Sequence, residues 1–196
     1  MRILVATGNP DKFREINDIL ALAGHEIISL ADLGIEGPEE TGLTLMENAR
    51  LKAEYGFRAS GMTTIAEDTG LCVDALHGMP GVFSSRFAGP GATYRDNRQK
   101  LLSLLEGVPF SRRRARFTTI VCLTRNGKDL TFLEGWVEGF IIGQEQGEAG
   151  FGYDPVFLYP PMGRTFAELP PEVKNAVSHR AKAFRMAREV LRNAGF

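Results

Sequence analysis

The chain is poor in the features that mark specialised classes of protein. It has two cysteines, Cys72 and Cys122. Both sit in apolar, strand-like runs, which predicts buried thiols rather than a disulfide scaffold. No apolar run approaches the ~20 residues that a membrane-spanning helix needs. The opening Met1–Ala6 is too brief for a secretory signal and is cut off by Thr7-Gly8-Asn9-Pro10, so the expected location is cytoplasmic. Neither sign of charge dominates: 23 basic and 24 acidic residues leave a net −1, and no global field draws the chain to nucleic acid or an anionic membrane. His77 has no partner at zinc-ligand spacing and reads as a loop residue. The P-loop pattern and the Rossmann glycine fingerprint are both absent. There is no internal repeat, low-complexity tract or linker. What remains is an ordinary globular composition, 43% hydrophobic and 24% charged, long enough to build a core in one domain over 1–196.

The stretch Thr64–Leu76 carries the most chemistry. A β-rich apolar run reaches two adjacent carboxylates, Glu67 and Asp68, followed by Thr69, Gly70 and a third acid, Asp74. Side chains alternate along a strand, so Glu67 and Asp68 are expected to point to opposite faces. Gly70 is expected to turn the backbone just past them. Acids at the carboxyl end of a buried strand suit Mg²⁺, which takes one or two carboxylates together with substrate phosphates. A turn with capping acids accounts for the same residues.

Ahead of this stretch, Ile3–Ala6 reads as a buried strand. Asn9 is an N-cap, Pro10 a first helical residue and Gly24 a stop for a helix with Phe13, Ile16, Ile19, Leu20 and Ala23 on one face. Thr7, Gly8, Asn9, Pro10, Asp11 and Lys12 thus form a strand–turn–helix unit whose amides and dipole favour an anion. Lys12 is unhelpful to that dipole unless an anion lies beside it. Ile27–Leu30 is a second strand. Thr44 and Glu47 make a capping box for a helix with Met46, Ala49, Ala53 and Phe57 on its core face and Glu47, Asn48 and Lys52 opposite. Glu39 and Glu40 precede it as turn acids, either of which a metal can use.

Behind it, glycines and prolines between His77 and Gly91 make a tight, shaped loop. Thr93 caps a helix with Leu101, Leu104 and Leu105 on its core face. Arg112, Arg113, Arg114 and Arg116 are the densest basic patch. They read as solvated edge residues, since no aromatics interleave with them. Phe117–Leu123 and Leu130–Phe140 are strands joined at Asn126-Gly127. Glycines on both sides of Phe151 free its ring to lie against a planar ligand, with Asp154 placed to read base edges. Lys174, His179 and Arg180 gather donors near the start of a last helix, which Ser178 caps and which carries Phe184, Ala187 and Leu191 on its core face.

These motifs, in this order, resemble the non-canonical purine nucleoside triphosphate pyrophosphatases, also called inosine triphosphate pyrophosphatases. The resemblance runs nearly end to end: Thr7-Gly8-Asn9 with Lys12 and Glu15; Glu39-Glu40-Thr41-Gly42 with Glu47-Asn48-Ala49 and Lys52-Ala53; Glu67-Asp68-Thr69-Gly70-Leu71 with Asp74 and Gly78-x-Pro80-Gly81; Phe151-Gly152-Tyr153-Asp154-Pro155; and Ser178-His179-Arg180. Thr69 stands where serine is commoner, and Phe83-Ser84-Ser85-Arg86 replaces a usual Tyr-Ser-Ala-Arg. The resemblance implies an elongated mixed α/β fold, with flanking helices and two lobes around a central cleft, acting as a homodimer. It implies Mg²⁺-dependent hydrolysis of ITP, dITP and XTP to the monophosphate and pyrophosphate. Asp68 would act as general base and metal ligand, with Glu40 as second ligand. Thr7–Lys12 and Lys52 would hold the phosphates, Thr69 would donate to substrate, and Phe151, Gly152, Tyr153, Asp154, Lys174, His179 and Arg180 would serve the base. Hypoxanthine and xanthine carry a C6 carbonyl that donors can meet, where adenine carries an amino group. A nucleotide sensor without catalysis, or a single-strand binder using the arginine run, are the competing readings.

Overall fold

Consecutive apolar residues need cover on both faces, and Ile3, Leu4 and Val5 receive it, all three buried in strand β1 (Arg2–Val5). The computed structural model describes residues 2–21 and 24–193. From β1 the chain runs through α1 (Pro10–Leu20) to β2 (Glu26–Ser29), then through α2 (Leu45–Ser60) to β3 (Thr64–Val73). Next come β4 (Pro80–Gly81), α3 (Tyr94–Leu104), β5 (Arg114–Thr124) and β6 (Leu130–Ile141). The short strands β7 (Phe157–Tyr159) and β8 (Arg164–Thr165) precede α4 (Pro171–Val177) and α5 (His179–Asn193). The strand order is β2-β1-β3-β5-β6-β7-β8, with β4 against β3. β2 and β3 are parallel to β1, while β6-β7-β8 is antiparallel, so this is the mixed α/β fold with flanking helices that was expected.

The chain divides into two compact units, each built from several segments. The first comprises Met1–Asp68, Thr119–Gly135 and His179–Phe196; the second comprises Thr69–Thr118 and Trp136–Ser178. In the first unit the period-two alternation of the strands sorts residues onto two faces. Ile3, Val5, Ile65, Val121 and Leu123 pack with Ile16 and Leu20 of α1 and with Phe184, Ala187 and Leu191 of α5. Leu4, Ala6, Ala66, Ile120 and Cys122 pack with Ala49 and Ala53 of α2. Each Val, Leu or Ile among them contributes about 1.5–3 kcal/mol on burial. Cys122 lies deep enough that burial pushes its thiol up to about 12, as an inert thiol requires.

In the second unit Leu71, Val73, Leu101 and Leu105 surround an aromatic centre. The Phe117 and Phe157 rings are 4.7 Å apart, and those of Phe157 and Phe166 are 5.0 Å apart. Tyr153 belongs to this core, with its hydroxyl donating to the Ser84 carbonyl at 2.9 Å.

Several expectations are corrected. β3 does not turn at Gly70; it continues to Val73, because Leu71 and Cys72 find partners in Gly81 and Pro80 of β4. α1 stops at Leu20, with Ala21 rather than Gly24 taking the left-handed cap position, and Ala23 lies outside the described residues. β5 begins at Arg114, since Ala115 and Phe117 alternate into the core. Leu104 and Met46 are exposed, not core. The Thr44–Glu47 capping box forms as the sequence implied.

Candidate functional site

In the first unit the order β2-β1-β3 reverses at β1, and α1 and α2 cover opposite faces. Open α/β sheets bind ligands in the crevice outside the carboxyl ends of the strands at such a reversal. β1 ends at Val5, opposite Ile65, so Glu67 and Asp68 run on past it. Alternation then sends the two acids to opposite faces, as expected.

Asp68 faces α2. Its Oδ1 accepts from Lys52 Nζ at 2.9 Å, and its Oδ2 accepts from Asn48 Nδ2 at 3.2 Å. The same Lys52 ammonium donates to Glu40 Oε1 at 2.7 Å, and Asn48 Oδ1 accepts the Gly42 N–H at 2.8 Å. Asn48 and Lys52 are one helical turn apart, so one face of α2 ties the acidic loop to the strand acid through both carboxylate oxygens. Burial lifts the Asp68 carboxyl above the usual carboxylate range; Lys52 and Lys12 pull it down, and Glu40 adds to the rise. Burial works against the charge on Lys52, but Asp68, Glu40 and Glu67 more than offset this and hold its ammonium above the ordinary lysine value. Two carboxylates, Asp68 and Glu40, share the one Lys52 ammonium, so this group of three carries negative charge in excess.

Glu67 faces α1 and α5. Lys12 Nζ lies 2.9 Å from its Oε1, and Arg180 Nη2 lies 3.4 Å from the same oxygen. Arg180 Nη1 pairs with Glu15 at 2.7 Å, which makes a ladder Glu15–Arg180–Glu67–Lys12 with a buried middle and half-buried ends. At the start of α1, Asn9 Oδ1 accepts from the Asp11 and Lys12 N–H groups, so those two amides satisfy the cap and are not held open for an anion. The Asn9 N–H in turn donates to Thr7 Oγ1 at 3.2 Å. Gly8 and Pro10 are exposed at this turn.

The donor set around Asp68 is all carboxylate oxygen. Among the described residues no three acid, histidine or cysteine side chains are grouped to hold a metal ion alone. Two acids sharing one ammonium, with negative charge in excess, fit a cation that also takes oxygens from a substrate, as Mg²⁺ does. Asp68 and Glu40 are the residues that would hold it. Glu67 points to the other face, and Glu39 is exposed.

The second unit gathers another set. Phe151 is half-buried, and Lys174 Nζ lies 4.8 Å from its ring centroid. Asp154 Oδ2 accepts the Phe151 N–H at 2.8 Å and also pairs with Lys174. Gly150 has φ 72°, and a Cβ there would overlap the Asp154 carboxylate. Gly150→Ala is therefore expected to cost about 1–3 kcal/mol through strain. It should also displace Phe151, seen as a lowered Tm together with a raised KM for the nucleotide. Thr69, half-buried, and Gly152 belong to this unit, as does Tyr153 in its core. Lys174 is in the second unit, whereas His179 and Arg180 are buried in the first, so the three donors grouped by sequence proximity are divided between the units. Three of the four arginines in the run are engaged by protein. Arg113 donates to the Val108 and Leu105 carbonyls, and Arg114 and Arg116 both pair with Glu138.

A model of the Ham1 family matches residues 3–190. The chain belongs to the Ham1 family. It is 46% identical over 195 residues to a dITP/XTP pyrophosphatase of Yersinia pseudotuberculosis, covering 98% of this chain and 99% of that one. A dITP/XTP pyrophosphatase of a Thermoanaerobacter species is 50% identical over 184 residues, 93% of this chain and 92% of its own. Among solved structures, a HAM1 protein from Coxiella burnetii superposes with a TM-score of 0.88 at 38% identity, covering 98% of this chain and 99% of that chain. This Ham1 family chain therefore matches its relatives over both units. The Asn48 link to Asp68 was not assigned a role from sequence. Its spacing from Lys52 on the same helix face is the signal from which it could have been found.

Proposed function

We propose that this chain hydrolyses non-canonical purine nucleoside triphosphates, dITP, XTP and ITP, to the monophosphate and pyrophosphate with Mg²⁺ as cofactor. The observation that carries the reading is the Asp68–Lys52–Glu40 cluster, midway along β3 and with Asp68 and Lys52 buried, in a chain alike over nearly its full length to proteins named dITP/XTP pyrophosphatase. Breaking the α–β phosphoanhydride is in-line displacement at phosphorus, where positioning and charge neutralisation do most of the catalysis. Bound magnesium supplies part of that neutralisation. Lys52 and Lys12 supply the rest by holding phosphate oxygens, and the Thr7–Lys12 turn and Thr69 position the chain of phosphates. Asp68 orients the attacking water and accepts its proton, a role suited to a carboxyl whose basicity burial has raised. In the second unit Phe151 offers a stacking surface to the purine, and Lys174, steered by Asp154, donates to a C6 carbonyl. Arg180 serves chiefly by fixing Glu67, which in turn fixes Lys12.

The enzyme acts in the cytoplasm on the free nucleotide pool. It works as a homodimer, for which the loop Gly78–Arg86 supports a surface, since Met79 and Phe83 are about half exposed there. Incubation with dITP and Mg²⁺ should give dIMP and pyrophosphate in equal amounts, with dATP turned over far more slowly. Orthophosphate with dIDP, or tight binding with no turnover across a panel of divalent metals, rejects the reading.

A further inference from the structure

We infer that helix α3 is the positioning element for the Phe151 ring, with Arg98 as its principal residue and Tyr94 as its second. The inference rests on the proposed role of Phe151 as the purine platform. Gly150 and Gly152 have φ of 72° and 61°, both in the left-handed region, so no side chain on either neighbour fixes the direction of the ring. Its orientation has to come from contacts made by other elements. On one side Asp154 accepts the Phe151 N–H. On the other side the Arg98 guanidinium spans two partners: Nη1 donates to the Gly152 carbonyl at 2.8 Å, and Nη2 pairs with Glu145 at 2.9 Å.

Tyr94 lies one helical turn before Arg98 on the same face of α3. Its ring centroid is 5.8 Å from that of Phe151, tilted by 38°. The helix thus holds the Phe151 turn by its backbone and its ring at once. The planar fork serves Gly152 and Glu145 from two separate nitrogens in a fixed geometry, which the single ammonium of a lysine does not reproduce. The Arg98 side chain is 14% exposed, and its buried Nε makes no hydrogen bond among the described residues. An unpaired buried donor is costly, and the gain that offsets it is the placement of the Gly150–Gly152 turn. Asp154 also contacts Lys174 and so cannot separate placement from base reading, whereas the hydrogen bonds of the Arg98 guanidinium go to the Gly152 carbonyl and to Glu145.

The test uses Arg98→Met and Tyr94→Leu with two probes that need different parts of the protein. Binding of inosine monophosphate is measured by calorimetry without divalent metal. Inhibition of dITP hydrolysis by pyrophosphate is measured in parallel. Stacking on an aromatic ring carries enough affinity that misplacing the ring should weaken inosine monophosphate about ten-fold in Arg98→Met, with a smaller loss in Tyr94→Leu. Pyrophosphate inhibition should be unchanged, and KM for dITP should rise with kcat near wild type, the signature of lost uniform binding. Arg98→Lys, which retains one donor for the Gly152 carbonyl, should fall between wild type and Arg98→Met. Unchanged inosine monophosphate binding in Arg98→Met overturns the inference, and so does a parallel weakening of both probes. Failure of the pyrophosphatase reading itself would appear separately, as wild-type protein that releases no dIMP and pyrophosphate from dITP.

Discussion

Asp68→Asn is expected to lower kcat for dITP by roughly 10³-fold, in the range that general-base and metal-ligating carboxylates contribute, while leaving the protein at least as stable as wild type. The two halves of this expectation come from the same geometry. Asp68 is buried, and burial holds its carboxyl above the usual range in spite of two nearby ammonium groups. Its folded pKa therefore exceeds its unfolded one. The folded state keeps the proton over the interval between them, and stability falls as pH rises through that interval. At neutral pH the ionised group is a cost to folding that asparagine removes. Lys52 would still have Glu40 at 2.7 Å. A residue that costs stability and is essential to turnover is the usual trade at an active site. Thermal melts at pH 7 alongside product assays check both halves. A variant that is active, or one that is inactive because it is unfolded, contradicts the assignment.

Lys52→Met should have the largest effect on stability, about 3–5 kcal/mol, because it leaves two buried or half-buried carboxylates without the cation they share. The methionine replaces the aliphatic stem but not the two short hydrogen bonds to Glu40 and Asp68. The sign with pH follows. Without Lys52 the carboxyl of Asp68 rises further above its unfolded value. The variant therefore takes up protons on folding, and its deficit shrinks as pH falls toward the carboxylate range. The Tm gap between wild type and Lys52→Met, measured from pH 8 down to pH 5, should narrow. A gap that stays constant would place the effect in lost packing rather than in charge.

The parts of this fold that could be read from sequence are those in which local physics decides. The N-cap at Asn9, the capping box at Thr44 and Glu47, the opposite directions of Glu67 and Asp68, and the apolar stripe Phe184–Ala187–Leu191 each follow from spacing alone. What could not be read depended on partners distant in sequence. Gly70 permits a turn but does not compel one, and the pairing of Leu71 and Cys72 with β4 keeps β3 extended. Arg180 stands next to His179 in the chain, yet its guanidinium is held by Glu15 and Glu67, 165 and 113 positions away. Arg98 sits in a helix that looked ordinary, and only the fold brings Gly152 to it. Even the free amides expected at the start of α1 were lost to a local effect, since the side chain that caps the helix also takes the donors it would have offered to an anion.

The most direct test of the central claim, that Asp68 directs water onto the α-phosphorus, is hydrolysis of dITP in water enriched in oxygen-18, with mass analysis of both products. Attack at that atom places one heavy oxygen in dIMP and none in pyrophosphate. Label recovered in pyrophosphate, or label in orthophosphate released beside dIDP, would contradict it.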